Sequence, residues 1–288
     1  MFSLRIARRA AEAAKVLDPA ADALQSAMRA LPKPATDVLD GTWFGAPLHP
    51  ALTDVPIGSW TAATVLDAVA PATGDDTIAA AADHVLALGV LAAVPTALTG
   101  MNDWSHLRGD SKRIGMLHAL LNSAALGLNV ASLVLRRSGR REAGRALSGV
   151  AFAGTLVSAH LGGHLSFGLG VRVNRTAFES PPSEFRPVLA EAELRGEELR
   201  RVDVDGAPVL LARSRAGGLC AIAATCTHLG GPLDEGERNG DSVVCPWHGS
   251  RFDLCTGEVE QGPAVYPQPV YAARAVDGTI EVRRVENT

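Results

Sequence analysis

Four apolar segments between residues 51 and 170 constrain the fold more than any other feature of the sequence. They cover residues 51–70, 78–98, 114–135 and 147–170. Each has ~20 residues, the length at which an α-helix crosses a hydrocarbon layer of ~30 Å. Gly, Ala, Ser and Thr are abundant in them, and such small residues let membrane helices approach closely. We therefore predict an all-α four-helix module that spans a membrane, over residues 41–172.

A soluble four-helix bundle is the alternative, because ionisable and amide side chains interrupt the apolar segments. These side chains are Asp54, Asp67, Asp83, His84, His118, Asn122, Asn129, His160 and His164. In lipid such groups are costly, and they face the interior of a helix bundle. Four segments of spanning length in succession favour the membrane over the soluble alternative.

The first 40 residues form a separate region, which is rich in alanine and carries regularly spaced basic residues. Arg5, Arg8, Arg9, Lys15 and Arg29 lie in it, and no apolar run of a secretory signal follows the arginines. We predict an amphipathic helix that ends at Pro32 and Pro34, since proline cannot continue an α-helix. The helix either packs on its own protein or lies at a membrane surface.

The pattern changes after a linker at residues 173–187. Residues 188–288 contain short strand-like runs, at 207–212 and at Thr279–Arg284, and two Asp-Gly pairs that are typical of hairpin turns, Asp205-Gly206 and Asp277-Gly278. This part is predicted to be a small all-β domain. The whole chain is therefore a multidomain protein, with an α-helical bundle followed by a β domain.

Two short boxes in the β domain combine a thiol with an imidazole. The first is Cys226-Thr-His228, and the second is Cys245-Pro-Trp-His248. Two thiolates and two imidazoles could ligate the two irons of a [2Fe–2S] cluster unequally. The same ligand types could also form a tetrahedral zinc site. The ligands alone leave both possibilities open.

The residues around these boxes resemble the Rieske family. The matching stretches are Cys226-Thr-His-Leu-Gly-Gly-Pro-Leu, Cys245-Pro-Trp-His-Gly-Ser-Arg-Phe-Asp, Thr256-Gly-Glu and Gly262-Pro-Ala. The resemblance implies a [2Fe–2S] cluster in which Cys226 and Cys245 hold the inner iron and His228 and His248 hold the outer iron. It favours iron–sulfur over zinc.

One departure from the family pattern points to a subtype. Rieske proteins of cytochrome bc-type complexes have an extra cysteine in each box, where this chain has Gly231 and Trp247. The domain therefore resembles the ferredoxin subtype, without that disulfide, which suits a reducing compartment. Cys220 and Cys255 do not match ligand positions and are expected only to pack in the core. Rieske oxygenases add a second iron domain after this one, and no histidine follows His248, so we do not expect an oxygenase.

The helical module resembles a family of uncharacterised bacterial membrane domains, through residues 47–60, 95–104 and 118–122. Threading the segments up and down gathers most histidines of the module on the side that carries the β domain. We name His118, His160 and His164 as candidates for a second site, which would bind haem b, a metal ion or a quinone. Interhelical hydrogen bonding by these histidines is the alternative.

These observations predict a multi-pass protein of the bacterial inner membrane, with the β domain in the cytoplasm. Its expected function is one-electron transfer as a membrane-tethered component of an oxidoreductase system, and no catalytic residue is assigned. Expected partners are redox donor and acceptor proteins or a membrane quinone, together with lipid. A net charge of −4 without a basic stretch excludes nucleic acid. A self-contained quinone- or haem-linked oxidoreductase and a non-catalytic redox sensor are the alternatives.

Overall fold

The computed structural model describes residues 9–179 and 182–285. It divides into two compact units, each with its own core. The first unit contains the described residues up to Pro32 together with Leu48–Val171, and it is helical. The second contains Lys33–Pro47 together with the chain from Arg172 onward, and its regular structure is mainly β. Arg5 and Arg8 of the predicted N-terminal helix lie outside the described residues.

The described part of the N-terminal region is mostly helical. Residues 9–13 are helical, the turn Ala14–Leu17 follows, and α1 covers Asp18–Arg29. After Pro32 a new helix, α2, covers Lys33–Asp40. Pro34 lies in its first turn, where proline is tolerated because a backbone N–H at that position has no partner within the helix. Pro32 therefore separates two helices, and the second of them belongs to the β unit.

Four longer helices form the bundle of the first unit. They are α3 (Leu48–Thr73), α4 (Asp76–Trp104), α5 (Gly109–Arg137) and α6 (Arg141–Gly163), and a π-type turn, His164–Gly168, follows α6. The loops between them are short, so consecutive helices run antiparallel. Asp75 caps α4 by accepting a hydrogen bond from the Thr77 N–H at 2.7 Å.

Three of these helices are long and apolar enough to cross a membrane: Asp76–Trp104, Gly109–Arg137 and Arg141–Gly168. The sequence predicted four such segments, and α3 does not meet the same standard. Asp54, Asp67 and several hydroxyl residues dilute its apolar side chains. All four predicted segments are confirmed as helices. Three of the four are confirmed as long and apolar enough to span a membrane.

The surface of the bundle is apolar and its interior is partly polar. Val65, Leu91, Val134 and Val157, one from each long helix, are 56–71% exposed. Thr99, Asn129, Ser132 and Ser158 are buried between the helices. A soluble bundle shows the opposite arrangement. The exposed apolar side chains therefore fit a lipid environment.

A buried arginine joins all four long helices. The Arg136 side chain of α5 is fully buried, and it donates to the carboxylate of Asp67 on α3, to Asp83 on α4 at 2.8 Å and to Ser148 on α6 at 2.8 Å. Its Nε donates to Ser132 within α5 at 3.0 Å. All five N–H donors of the guanidinium are thus used. The charge is compensated inside the bundle rather than by water.

In the described residues of the second unit, ten strands form three antiparallel sheets. Their order is β1 (Arg186–Ala190), β10 (Thr279–Arg284), β9 (Tyr271–Val276) in the first; β2 (Arg200–Val204), β3 (Ala207–Arg213), β4 (Leu219–Ala223) in the second; and β5 (Glu237–Asn239), β6 (Ser242–Val244), β7 (Arg251–Asp253), β8 (Val259–Gln261) in the third. Both predicted Asp-Gly turns are confirmed, because Asp205 and Asp277 adopt positive φ angles of 53° and 49°. Side chains of β10 alternate between buried and half-buried, as predicted.

Cys220 and Cys255 form a disulfide, with their Cα atoms 4.6 Å apart. Both cysteines pack in the core, as predicted, but the bond between them was not predicted. β4 carries Cys220, and Cys255 lies in the turn after β7, so the bond joins two sheets. The pairing depends on which strands meet in the fold, and that cannot be read from a spacing of 35 residues.

Removing the Arg136 guanidinium should destabilise the bundle strongly. In Arg136→Met, Asp67 and Asp83 lose a buried partner, and breaking such a pair costs about 3–5 kcal/mol. The free energy of unfolding of the detergent-solubilised protein measures this loss. Arg137→Met is the matched control, since Arg137 is exposed and should change stability by less than about 0.5 kcal/mol. Equal stability of the two variants would show that the network contributes nothing.

Candidate metal centre

The two boxes of the β domain form loops with the same backbone pattern. In the first, the Cys226 N–H donates to the Gly231 carbonyl at 2.8 Å, and the Cys226 carbonyl accepts from the Gly230 N–H at 2.9 Å. In the second, the Cys245 N–H donates to the Ser250 carbonyl at 2.8 Å, and its carbonyl accepts from the Gly249 N–H at 3.0 Å. The glycine four residues after each cysteine has a positive φ, 81° and 75°. Each loop needs this glycine because other residues rarely adopt that conformation.

These loops bring the two sulfur atoms together. Cys226 and Cys245 are both buried, at 1% and 3% exposure, and their side chains are hydrogen-bonded to each other. Backbone N–H groups at the second and third residues after each cysteine donate to its sulfur. Such donors stabilise a thiolate. The sulfur pair is therefore prepared to carry negative charge.

The shared hydrogen bond also sets the acidity of the pair. This hydrogen bond is the main cause that raises the pKa of the Cys226 thiol, and burial adds to that shift. The same bond is the main cause that lowers the pKa of Cys245 to about 7. The two sulfurs thus share one proton between them. Metal ligation requires deprotonated thiols.

The two imidazoles form a second pair. The ring centroids of His228 and His248 are 5.1 Å apart, and the planes are nearly perpendicular. His228 is buried and His248 is half-buried, while the neighbouring Trp247 is 53% exposed. The structure therefore brings the four predicted residues together as one sulfur pair and one imidazole pair.

A third loop, residues 262–266, supports both boxes. The Thr227 hydroxyl donates to the Tyr266 carbonyl at 2.8 Å, and the Ala264 N–H donates to the buried Ser250 hydroxyl at 2.9 Å. The N-terminal helix α2 holds this loop in turn, because Asp37 accepts from the Gly262 N–H at 3.0 Å. No local sequence pattern predicts this contribution of α2, which lies more than 200 residues earlier in the chain.

This donor set fits a [2Fe–2S] cluster better than a single ion. Structural zinc requires four protein ligands around one point. In a [2Fe–2S] cluster of mixed ligation, each iron needs only two, both thiolates for one and both imidazoles for the other. The observed pairs match that requirement.

The predicted second site in the helical bundle is only partly assembled. His118 of α5 lies against α6, where its Nδ1 is 2.9 Å from the Ser158 carbonyl. His160 is exposed on α6, and His164 is half-buried in the turn that follows. His49 at the start of α3 was not among the candidates, and its Nδ1 is 2.9 Å from the Thr96 carbonyl on α4. The second site in the bundle therefore stays a prediction.

The fold and the site define a small β domain for an iron–sulfur cluster, attached to a helical module with membrane-type composition. Comparison with known families agrees with both parts. Residues 184–272 match the Rieske [2Fe-2S] domain, and residues 45–175 match a predicted membrane protein family, DUF2231.

Known proteins similar to the β domain include the following three. Ferredoxin CarAc of Metapseudomonas resinovorans is 33% identical over 95 residues, which are 33% of this chain and 89% of that protein. The cytochrome b6-f complex iron-sulfur subunit of Chlorobaculum thiosulfatiphilum is 34% identical over 71 residues, 25% of this chain and 38% of that subunit. The solved ferredoxin of carbazole 1,9a-dioxygenase from Nocardioides aromaticivorans IC177 is 29% identical, over 37% of this chain and all of that one, at a TM-score of 0.33.

The chain belongs to the Rieske [2Fe–2S] family through its C-terminal domain, fused to an N-terminal DUF2231 membrane domain. Both resemblances found in the sequence are thus confirmed. The Rieske domain supports a [2Fe–2S] cluster as the cofactor of this part of the protein.

A side chain at position 231 should disturb the centre. A Cβ atom on Gly231 would lie 2.7 Å from the Cys245 sulfur and 3.2 Å from the Trp247 ring. Gly231→Ala should therefore lower cluster affinity by about 10–100-fold, as expected when the surroundings of a metal ligand are changed. Iron and sulfide analysis of the purified variant checks this.

Gly218→Ala is the control in the same domain, because a Cβ there meets only the Ser214 hydroxyl at 3.4 Å. It should keep its full iron and sulfide content. Full occupancy in Gly231→Ala would contradict the close packing described for the Cys245 sulfur.

Proposed function

We propose that this protein is a membrane-tethered electron carrier whose cluster ligands are Cys226, Cys245, His228 and His248. Cys226 and Cys245 would bind one iron, and His228 and His248 the other. When bound, a [2Fe–2S] cluster accepts and donates one electron. The chain's own residues hold the cluster, shield its sulfur side from water and leave its imidazole side near the surface.

The pairing of like ligands is the observation that carries this proposal. The sulfurs are buried and receive backbone N–H donors, so their negative charge is stabilised inside the domain. The imidazole pair includes the half-buried His248, next to the exposed Trp247. Imidazole ligands add no negative charge, which favours a higher potential than four thiolates would give. Electrons would enter and leave on the imidazole side.

The relatives support electron transfer rather than catalysis at the centre itself. One relative is named a ferredoxin and another an iron-sulfur subunit of a cytochrome complex. This chain covers most of the ferredoxin but only 38% of the subunit. We therefore propose a redox protein or a membrane quinone as donor and acceptor, and the ferredoxin-type domain as the working part.

The helical module would hold the domain at a membrane. Its DUF2231 match is a predicted membrane protein, and the exposed valines and leucines on all four long helices would face lipid. We propose multi-pass insertion in the bacterial inner membrane, with α3 as a fourth span. Its two aspartates differ in exposure: Asp67 lies inside the bundle against Arg136, and Asp54 is exposed near the start of the helix.

Two alternatives remain to be separated from the carrier. A self-contained oxidoreductase needs a second redox group or a quinone pocket in the same chain. A redox sensor needs a change in the membrane module that depends on the cluster. The exposed setting of Trp247 beside the imidazole pair favours exchange with a partner, and hence the carrier.

The full-length protein in detergent should take up one electron per two irons, reversibly. Cys226→Ser should lose the cluster, because one iron then lacks a thiolate. Cys220→Ser is the control, since the Cys220 sulfur is bonded to Cys255 and not to the centre. Redox titration followed by electron paramagnetic resonance (EPR) measures both variants.

A colourless protein, or zinc in place of iron, would contradict the assignment. Catalytic turnover of added quinone by the purified protein would favour the oxidoreductase over the carrier. A change in oligomeric state on cluster reduction would favour the sensor.

One structural finding argues against the predicted location of the β domain in the cytoplasm. The sequence places the β domain in the cytoplasm, because the extra disulfide of bc-type Rieske proteins is missing. The Cys220–Cys255 disulfide argues for the other side, since disulfides are rare in the cytosol. Charged residues at the two ends of the bundle nearly balance and do not decide the matter.

We expect a protease added to spheroplasts to digest the β domain from outside. Inverted membrane vesicles serve as the control, in which the domain should then be protected. Protection in spheroplasts and digestion in inverted vesicles would instead establish the cytoplasmic orientation.

A further inference from the structure

Charged side chains from two distant parts of the chain hold the third loop of the metal centre at the same two residues. Lys33 Nζ donates to the Gly262 carbonyl at 2.6 Å, and the Asp37 carboxylate accepts from the N–H of the same glycine at 3.0 Å. Arg172 donates from Nη1 to the next carbonyl, that of Pro263, at 2.9 Å. Both polar backbone groups of Gly262 and the carbonyl of Pro263 therefore bond to charged side chains.

These charged side chains are fixed by further contacts among themselves and with Asp40. Lys33 and Asp37 lie one turn apart on α2 and form an ion pair at 3.1 Å. Arg172 donates from Nη2 to the Asp40 backbone carbonyl at 2.8 Å, and its Nη1 is 3.5 Å from the Asp40 carboxylate. The Asp40 and Arg172 side chains are both buried. Charge-assisted hydrogen bonds are stronger than neutral ones, and burial protects them from screening by salt. We call Lys33, Asp37, Asp40 and Arg172 the clamp.

Close packing of α2 on the third loop requires a glycine at position 262. A Cβ atom on Gly262 would lie 2.8 Å from the Thr42 hydroxyl, 2.9 Å from the Asp37 carboxylate and 3.0 Å from the Asp40 carboxylate. Three oxygen atoms from α2 and the turn after it thus surround a single Cα atom. The contact is therefore a packed one, and the loop cannot move away from α2 without breaking it.

The third loop passes this restraint on to both ligand boxes. Its next two hydrogen bonds, of 2.8 and 2.9 Å, join it to Thr227 in the first box and to Ser250 after the second. Thr227 lies between the two proposed ligands of its box, and Ser250 follows His248 by two residues. Groups that orient metal ligands from outside typically change metal affinity by about 10–100-fold when they are removed.

The two parts of the clamp flank the helical module in the chain. α2 precedes Leu48, the first residue of α3, and Arg172 follows Val171, the last residue of the helical unit. All four clamp residues nevertheless belong to the second unit. The β domain predicted at residues 188–288 contains none of them. The segments that connect it with the helical module therefore complete the metal centre.

We propose that Lys33, Asp37 and Arg172 are positioning residues for the cluster. They hold Gly262 and Pro263, the third loop holds the two boxes, and the boxes carry the ligands. The potential of an iron–sulfur cluster depends on hydrogen bonds to its sulfurs and on solvent exposure. Both change when the boxes shift, so the clamp sets the redox potential and the retention of the cluster. The effect on the cluster rests on the ligation proposed above.

Asp37 gives the sharpest test, because its hydrogen bond and its charge can be removed separately. Asp37→Asn keeps an oxygen that accepts from the Gly262 N–H, whereas Asp37→Ala removes it. In the full-length protein in detergent, Asp37→Ala should release iron to a chelator about 10-fold faster than wild type and shift the midpoint potential. Asp37→Asn should keep the wild-type values of both. Val38→Ala on the same helix is the matched control, since Val38 is 55% exposed.

Lys33 provides a second pair of variants, in case Asp37→Ala folds poorly. Lys33→Met removes the donor to the Gly262 carbonyl and should reproduce the faster iron release and the shifted potential. Lys33→Arg keeps a donor and should restore both. Wild-type behaviour of Asp37→Ala and Lys33→Met would overturn the proposal. So would an Asp37→Asn variant that behaves like Asp37→Ala, because the charge and not the position of the loop would then be responsible.

Hydrogen exchange of the Gly262 amide in cluster-free, full-length protein tests the clamp without the cluster. This amide should exchange about 10-fold faster in Asp37→Ala than in wild type, as expected for the loss of one hydrogen bond, and at the wild-type rate in Asp37→Asn. Unchanged exchange along β3 shows that the domain stays folded. Equal exchange of the Gly262 amide in all three proteins would overturn the clamp. A wild-type protein that cannot be loaded with a cluster would refute the proposed ligation instead.

Discussion

The segregation of two sulfurs from two imidazoles is the constraint on which the function of the second unit depends. It arises because two loops with the same hydrogen-bond pattern each carry a cysteine followed, two or three residues later, by a histidine. Each loop turns at a glycine with positive φ, and the third loop and α2 hold the pair of loops in place. A single ion would require all four ligands at one point, whereas two irons require them in pairs.

The helical unit follows a different rule, in which apolar side chains face outward and several polar groups are buried between the helices. Arg136 exemplifies this, because its five donors are all used by residues of the bundle. A charge satisfied in this way can stay buried, and the apolar side chains are free to face outward. The hydrogen bonds of His118 with Ser158 and Asn122 satisfy polar groups at the opposite end in the same manner.

Much of this could be predicted from the sequence, where local patterns decide the structure. The four long helices follow from apolar length, the two Asp-Gly hairpins from turn chemistry, and the site from the spacing of Cys226, His228, Cys245 and His248. Features that depend on distant contacts were missed. The Cys220–Cys255 bond requires knowing that β4 meets the turn after β7, and the role of α2 requires a contact between Asp37 and Gly262.

Pulsed EPR of the dithionite-reduced, full-length protein tests the central claim most directly, because it detects nitrogen nuclei bound to the paramagnetic centre. The account predicts a [2Fe–2S] signal with two strongly coupled imidazole nitrogens, which come from His228 and His248. A reduced cluster without coupled nitrogen, or a protein with no paramagnetic cluster at all, would contradict it.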